Sequence, residues 1–132
     1  MCPYVYVHKR VYKPTKKDII LLINQVQRFL RKTFRFEFRF VGSTKRNMIT
    51  KNTKSNVGYD FDLDIRIHLK RIEYTPGELK HILMYAFNNF VHQFNYDYCE
   101  DNGRVFTIKM KDTTNAKIIH SCDFAIVRDT ED

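Results

Sequence analysis

No apolar stretch in this 132-residue chain approaches the roughly 20 residues that a bilayer-spanning helix requires. The longest apolar run, residues 19–23, belongs to an amphipathic pattern. The N-terminus lacks the charged-then-apolar layout of a secretory signal. Cysteine is scarce: Cys2, Cys99 and Cys122 are odd in number and carry no metal-ligand spacing, which reads as reduced thiols in a cytosolic protein. His8, His68, His81, His92 and His120 show no paired spacing with acids or cysteines, so they read as surface or core residues rather than a ligand set. No internal repeat and no linker divides the chain. These absences leave a single cytoplasmic domain with no membrane partner as the expectation.

What is present is bulk and positive charge. Hydrophobic residues make up 43% and aromatic residues 14% of the sequence, enough for one real core. The net charge of +8 is lopsided: through Arg71 there are 17 Lys or Arg against 5 Asp or Glu, and beyond it 6 against 10. Three of the five early acids are Asp60, Asp62 and Asp64, an acidic point within a basic surround. A substrate with several phosphates and a metal ion suits such a field.

Residues 3–12 read as extended. Thr15, with Asp18 three residues on, reads as the cap of a helix over 16–32, whose Ile19, Ile20, Ile23, Val26 and Leu30 follow helical spacing. Residues 34–41 alternate, placing Phe34, Phe36, Phe38 and Phe40 inward on a half-buried strand. Residues 44–58 are polar and predict a short helical turn followed by a mobile loop, and residues 59–69 a second strand. Thr75-Pro76-Gly77-Glu78 is a helix start with an N-cap, a proline in the first turn and a capping-box acid. Residues 104–110 and 116–127 read as a terminal hairpin, with Asp123 in its second strand. The predicted fold class is α/β (α+β): a small mixed sheet with helices packed over it.

Asp60, Asp62 and Asp64 occupy positions i, i+2 and i+4 of a strand, so their carboxylates share one face. Like charges so placed are destabilising unless a cation offsets them, and hard cations such as Mg²⁺ prefer carboxylate oxygens. Two aspartates two residues apart can bridge a pair of ions roughly 4 Å apart, the arrangement used for in-line displacement. Gly42 leaves room for a phosphate to approach the backbone. Ser43 offers a hydroxyl and an N–H, and Lys45 and Arg46 offer charge for phosphates.

Gly42-Ser43, then Asp60-x-Asp62 or Asp62-x-Asp64 on the next strand, then Asp123 on a later one, resembles the DNA polymerase beta-like nucleotidyltransferase superfamily. That group includes oligoadenylate synthetases, cyclic-dinucleotide synthases, CCA-adding enzymes and the small nucleotidyltransferases of toxin–antitoxin pairs. The resemblance covers residues 38–127. It implies catalytic roles for Asp62, Asp64 and Asp123, Mg²⁺ or Mn²⁺ held among Asp60, Asp62, Asp64 and Asp123, and nucleotide binding by Gly42, Ser43, Lys45 and Arg46. The implied activity moves a nucleoside monophosphate from a nucleoside triphosphate such as ATP to a hydroxyl, with RNA or another phosphate-bearing molecule as a candidate acceptor.

Two departures from the family pattern stand out. Residues 47–58 lengthen the interval between Ser43 and the aspartates, and three alternating aspartates stand where the family needs two. Ile65 begins the apolar run that favours the later pair; Gly58-Tyr59 favours the earlier; Asp62 belongs to both. The superfamily's helical C-terminal domain is expected to be missing, leaving residues 1–132 as a fragment, a minimal form, or a protein completed by a partner or a second copy. Two other functions fit these residues. One is an inactive member of the same fold that binds nucleotide, RNA or a protein partner. The other is a nucleic-acid-binding domain stacking bases on Tyr and Phe, which the inward set of Phe34–Phe40 alternation weakens.

Overall fold

Alternation in the sequence becomes a two-faced sheet. The structure, a computed structural model, describes residues 4–7, 9–41, 49–52, 57–69, 73–112 and 117–130. In chain order the elements are β1 (Tyr4–Val7), α1 (Lys9–Leu30), β2 (Arg35–Val41), β3 (Ile49–Asn52), β4 (Val57–Leu69), α2 (Pro76–Asn88), a 3₁₀ turn (Val91–Phe94), β5 (Glu100–Asn102), β6 (Val105–Asp112) and β7 (Lys117–Thr130). All seven strands join one mixed sheet.

β4 is its spine. It runs parallel to β7 from Val57↔Ile118 to Leu69↔Thr130. Its other edge is shared by β2, antiparallel across residues 62–68, and β3, which meets it at Lys51↔Tyr59. β1 pairs with β3. β6 lies antiparallel to β7, and β5 to β6. The mixed sheet with helices over it is therefore present, and the terminal hairpin is β6–β7.

Both helices cover one face of this sheet. Ile19, Leu22, Ile23, Val26 and Leu30 of α1 and Leu79, Leu83, Ala86 and Phe87 of α2 bury against it. Opposite them stand Phe61, Leu63, Ile65 and Ile67 of β4, Phe106 and Ile108 of β6, and Cys122 and Phe124 of β7. The rings of Phe87, Phe106 and Phe124 meet at centroid distances of 4.9–5.2 Å. α2 starts as its sequence predicts: Thr75 Oγ1 accepts from the Glu78 N–H (3.2 Å), and Glu78 Oε1 accepts from the Thr75 N–H (2.9 Å).

Several expectations need correction. The first helix begins at Lys9, so the extended stretch is confined to β1 and Thr15 lies inside α1 rather than capping it. An interior proline removes one N–H and crowds the carbonyl four residues back, yet α1 runs from Lys9 to Leu30 through Pro14. In α1 Leu22 joins the buried set and Ile20 is only half-buried, while Phe38 and Phe40 pack against the core as inward residues but stay half-buried. The polar stretch 44–58 contains β3 and the first residues of β4. β3, Ile49–Asn52, has one apolar residue in four and so carries no alternating apolar signal, which is why it reads as loop. Residues 44–48 and 53–56 of that stretch, where the expected turn and loop would fall, lie outside the described residues. β5 was not foreseen, although Asn102-Gly103 marks its tight turn into β6, with Gly103 at φ 78°.

Cys99 and Cys122 are free thiols. Burial pushes Cys99 up to about 12 and Cys122 well above the ordinary thiol value, so neither is a poised thiolate. Among the described residues no helix is long and apolar enough to cross a membrane.

Candidate active site on the open face of the sheet

The strand positions between the core residues point to the uncovered face, and register sets them in rows. One row reads Thr107 (β6), Asp123 (β7), Asp62 (β4), Val41 (β2). The next reads Lys109, Ser121, Asp60, and the row on the other side Val105, Ala125, Asp64, Arg39. Asp62 and Asp123, 61 positions apart in sequence, are thus direct cross-strand partners on adjacent parallel strands.

Each acid has a different neighbour. Ser121 Oγ donates to Asp60 Oδ1 at 2.6 Å, and Thr107 Oγ1 donates to Asp123 Oδ1 at 2.6 Å. Asp64 faces Arg39, whose Nη2 lies 3.5 Å from its Oδ2. Among the described residues, the charged groups acting on Asp62 are carboxylates. Burial is the leading cause that raises its pKa, followed by Asp123 and then Asp60. Asp60 is likewise raised, first by burial, with the Ser121 bond pulling it down and Asp123 pushing it up. Water reaches both side chains, so the desolvation comes from the sheet beneath them and not from a lid. Asp60, Asp62 and Asp123 therefore form one electrostatic unit, while Asp64 is offset by its own arginine.

Among the described residues no three His, Cys, Asp or Glu side chains converge closely enough to hold a metal ion as they stand. Asp60 and Asp123 each place one oxygen on a hydroxyl and Asp64 faces a guanidinium. Gly42, Ser43, Lys45 and Arg46 lie outside the described residues; the chain enters them directly from Val41, beside Asp62. A small cleft of about 160 Å³, lined by Glu37, Phe38, Arg39, Asp64 and Arg66, opens next to the acidic rows. The described cations toward the other edge are already paired: Lys109 with Glu100 at 2.7 Å and Lys111 with Asp97 at 3.3 Å.

Sequence reasoning missed Thr107, Ser121 and Arg39. Their polarity within apolar strands was visible, but which acid each faces depends on cross-strand register. Of the five histidines, His8 lies outside the described residues. His120 is buried with its Nε2 3.1 Å from the Tyr96 hydroxyl, His68 approaches Glu37 at 3.4 Å, and His92 packs on Tyr98.

No protein-family model and no curated protein matches the sequence. Solved structures do match in shape. The DncV cyclic AMP-GMP synthase of Vibrio cholerae, crystallised with nonhydrolyzable GTP, superposes with a TM-score of 0.54 at 14% identity over 73% of this chain and 24% of its own. The same dinucleotide cyclase with GTP and 5MTHFGLU2 gives 0.55 at 13% identity, over 84% and 29%. Cid1, described by its RNA terminal uridylyl transferase activity, gives 0.51 at 15%, over 92% and 32%. The chain spans about a quarter to a third of the length of these proteins. Its mixed sheet with helices packed over it shares the fold of these structures.

Proposed function

We propose that this chain is a divalent-metal-dependent nucleotidyltransferase, moving a nucleoside monophosphate from a nucleoside triphosphate to a hydroxyl acceptor with release of pyrophosphate. The observation that carries this reading is the register Asp62↔Asp123, with Asp60 one step along the same face. The donor chemistry fits Mg²⁺ or Mn²⁺: three carboxylates, two with raised pKa, form a concentration of negative charge that an oxygen-seeking cation would relieve. Asp60, Asp62 and Asp123 are the residues that would hold it. Bound there, a metal would polarise the phosphoryl oxygens and the attacking hydroxyl.

Of the two pairs open in the sequence, the earlier one has the better support, because Asp64 is engaged by Arg39. Arg39 itself is 61% exposed, so it can turn to a substrate phosphate and release Asp64 as an auxiliary acid. Gly42, Ser43, Lys45 and Arg46 are proposed to receive the triphosphate, because the chain reaches them straight from the row that holds Asp62. The GTP complexes of DncV support a nucleotide as substrate.

A second reading is a non-catalytic protein of the same fold that binds nucleotide, RNA or a protein partner. That no three acidic side chains among the described residues converge closely enough to hold a metal ion as they stand favours it. Titrating Mg²⁺ and Mn²⁺ with each of the four nucleoside triphosphates, while measuring pyrophosphate release and nucleotide affinity, separates the two. Metal-dependent pyrophosphate release supports transfer; metal-independent binding without release supports the second reading.

A further inference from the structure

We propose that Thr107 and Asn102 form a relay that positions Asp123 for cation binding, an inference that rests on the acidic rows being a metal site. Thr107 is 3% exposed, yet it carries a hydroxyl on a strand otherwise filled with core residues at its neighbours Phe106 and Ile108. Its Oγ1 accepts from Asn102 Nδ2 at 2.8 Å and donates to Asp123 Oδ1 at 2.6 Å. The polarity of this chain is fixed by chemistry. A carboxylate only accepts, so the single hydroxyl proton of Thr107 goes to Asp123, and a lone pair of the hydroxyl takes the amide proton of Asn102.

The relay is anchored at its far end. Asn102 closes the short strand β5, whose tip is tied to α2 because Lys80 Nζ donates to Asp101 Oδ1 at 2.6 Å and to the Gly103 carbonyl at 2.7 Å. Asp101 also accepts from the Gly103 N–H at 3.2 Å, which stiffens the turn. A line of contacts therefore runs from the buried helix through β5 and Thr107 to one oxygen of Asp123. It fixes Oδ1 and leaves Oδ2 as the oxygen available to a ligand. Asp60 has the simpler support of one hydroxyl, Ser121. Asp62, whose cross-strand neighbours are Asp123 and Val41, gains no hydroxyl from its row. A carboxylate already held in one orientation has less freedom to lose when a cation binds, and such outer-shell partners are commonly worth a large factor in metal affinity.

Mn²⁺ binding by calorimetry and by its electron paramagnetic signal, at fixed pH and salt, tests this on the whole chain. Thr107→Val keeps the shape and removes the hydroxyl, and it should weaken Mn²⁺ binding about 10–100-fold, with Thr107→Ser restoring it to within about threefold of wild type. Asn102→Ala leaves Thr107 and its packing in place and should show a smaller loss, so it keeps the test decisive if Thr107→Val does not fold. Three results overturn the relay. In the first, Thr107→Val and Asn102→Ala both bind Mn²⁺ as wild type does while Asp62→Asn does not; the relay alone then fails. In the second, Thr107→Ser is as weak as Thr107→Val, so that the hydroxyl is irrelevant. In the third, wild type itself binds no Mn²⁺, and the metal-site reading falls together with the relay.

Discussion

β4 places two opposite environments on one strand. Phe61, Leu63, Ile65 and Ile67 face the helices and lose essentially all contact with water, while Asp60, Asp62 and Asp64 alternate with them and face the open side. The buried face is internally consistent, since every neighbour favours the same packing. The open face is not: Asp60 and Asp62 repel each other and Asp123, and among the described residues it is Asp64 that has a cation beside it, Arg39. Stability is supplied by one side of the sheet, and that supply lets the other side carry a charge arrangement that opposes folding. Such local conflict with folding is the signature of a working site.

The two faces should separate under mutation. Phe124 packs against Phe87 and Phe106 beneath the acidic rows, and Phe124→Ala should cost about 3–5 kcal/mol in urea unfolding. A loss far smaller would mean the core does not support the site as described. Next in size is the acid response of His120, which burial holds down at about 4. A depressed histidine contributes stability that is full above its unfolded value near 6.5 and is lost as pH falls through the folded value, because the unfolded chain binds the proton first. That contribution is worth about 3 kcal/mol across the window from pH 6.5 to 4. Asp60 and Asp62 act with the opposite sign, since raised carboxylates relieve repulsion as they protonate. His120→Gln can still accept from the Tyr96 hydroxyl, so subtracting its urea–pH profile from that of wild type isolates the histidine. Parallel profiles would contradict the assignment.

Smaller effects sharpen the contrast further. Removing the capping box with Thr75→Ala should cost about 1 kcal/mol and leave the open face unchanged, by melting temperature and metal affinity together. Asp62→Asn should do the reverse. Removing one charge from a repelling set should raise the melting temperature slightly at neutral pH, with the gain disappearing under acid as the remaining carboxylates protonate. A destabilised Asp62→Asn would show that the carboxylate serves the fold.

Legibility in the sequence followed the distance over which each feature is determined. α2 was readable because its cap, proline and apolar spacing are local. The two faces of β2 and β4 were readable because alternation is a period-two property of each strand alone. Strand adjacency was expected for Asp62 and Asp123 by resemblance and appears in the register. The role of Asp64 was not readable, because Arg39 meets it only across the β2–β4 ladder. Thr107 and Ser121 escaped for the same reason. β3 escaped because its four residues carry a single apolar side chain, Ile49, and the early start of α1 because neither its first turns nor Pro14 announces a helix. Asn102-Gly103 was a local turn signal that reading residues 104–110 as the strand passed over.

The most direct measurement is metal-dependent pyrophosphate release from the four nucleoside triphosphates by wild type, Asp62→Asn and Asp64→Asn, each shown to be folded by its melting curve. If the Asp60, Asp62 and Asp123 unit carries the chemistry, Asp62→Asn loses release entirely while Asp64→Asn keeps a substantial part of it. Equal and mild losses in both variants would contradict this, reducing the acidic rows to a charged surface on a nucleotidyltransferase fold.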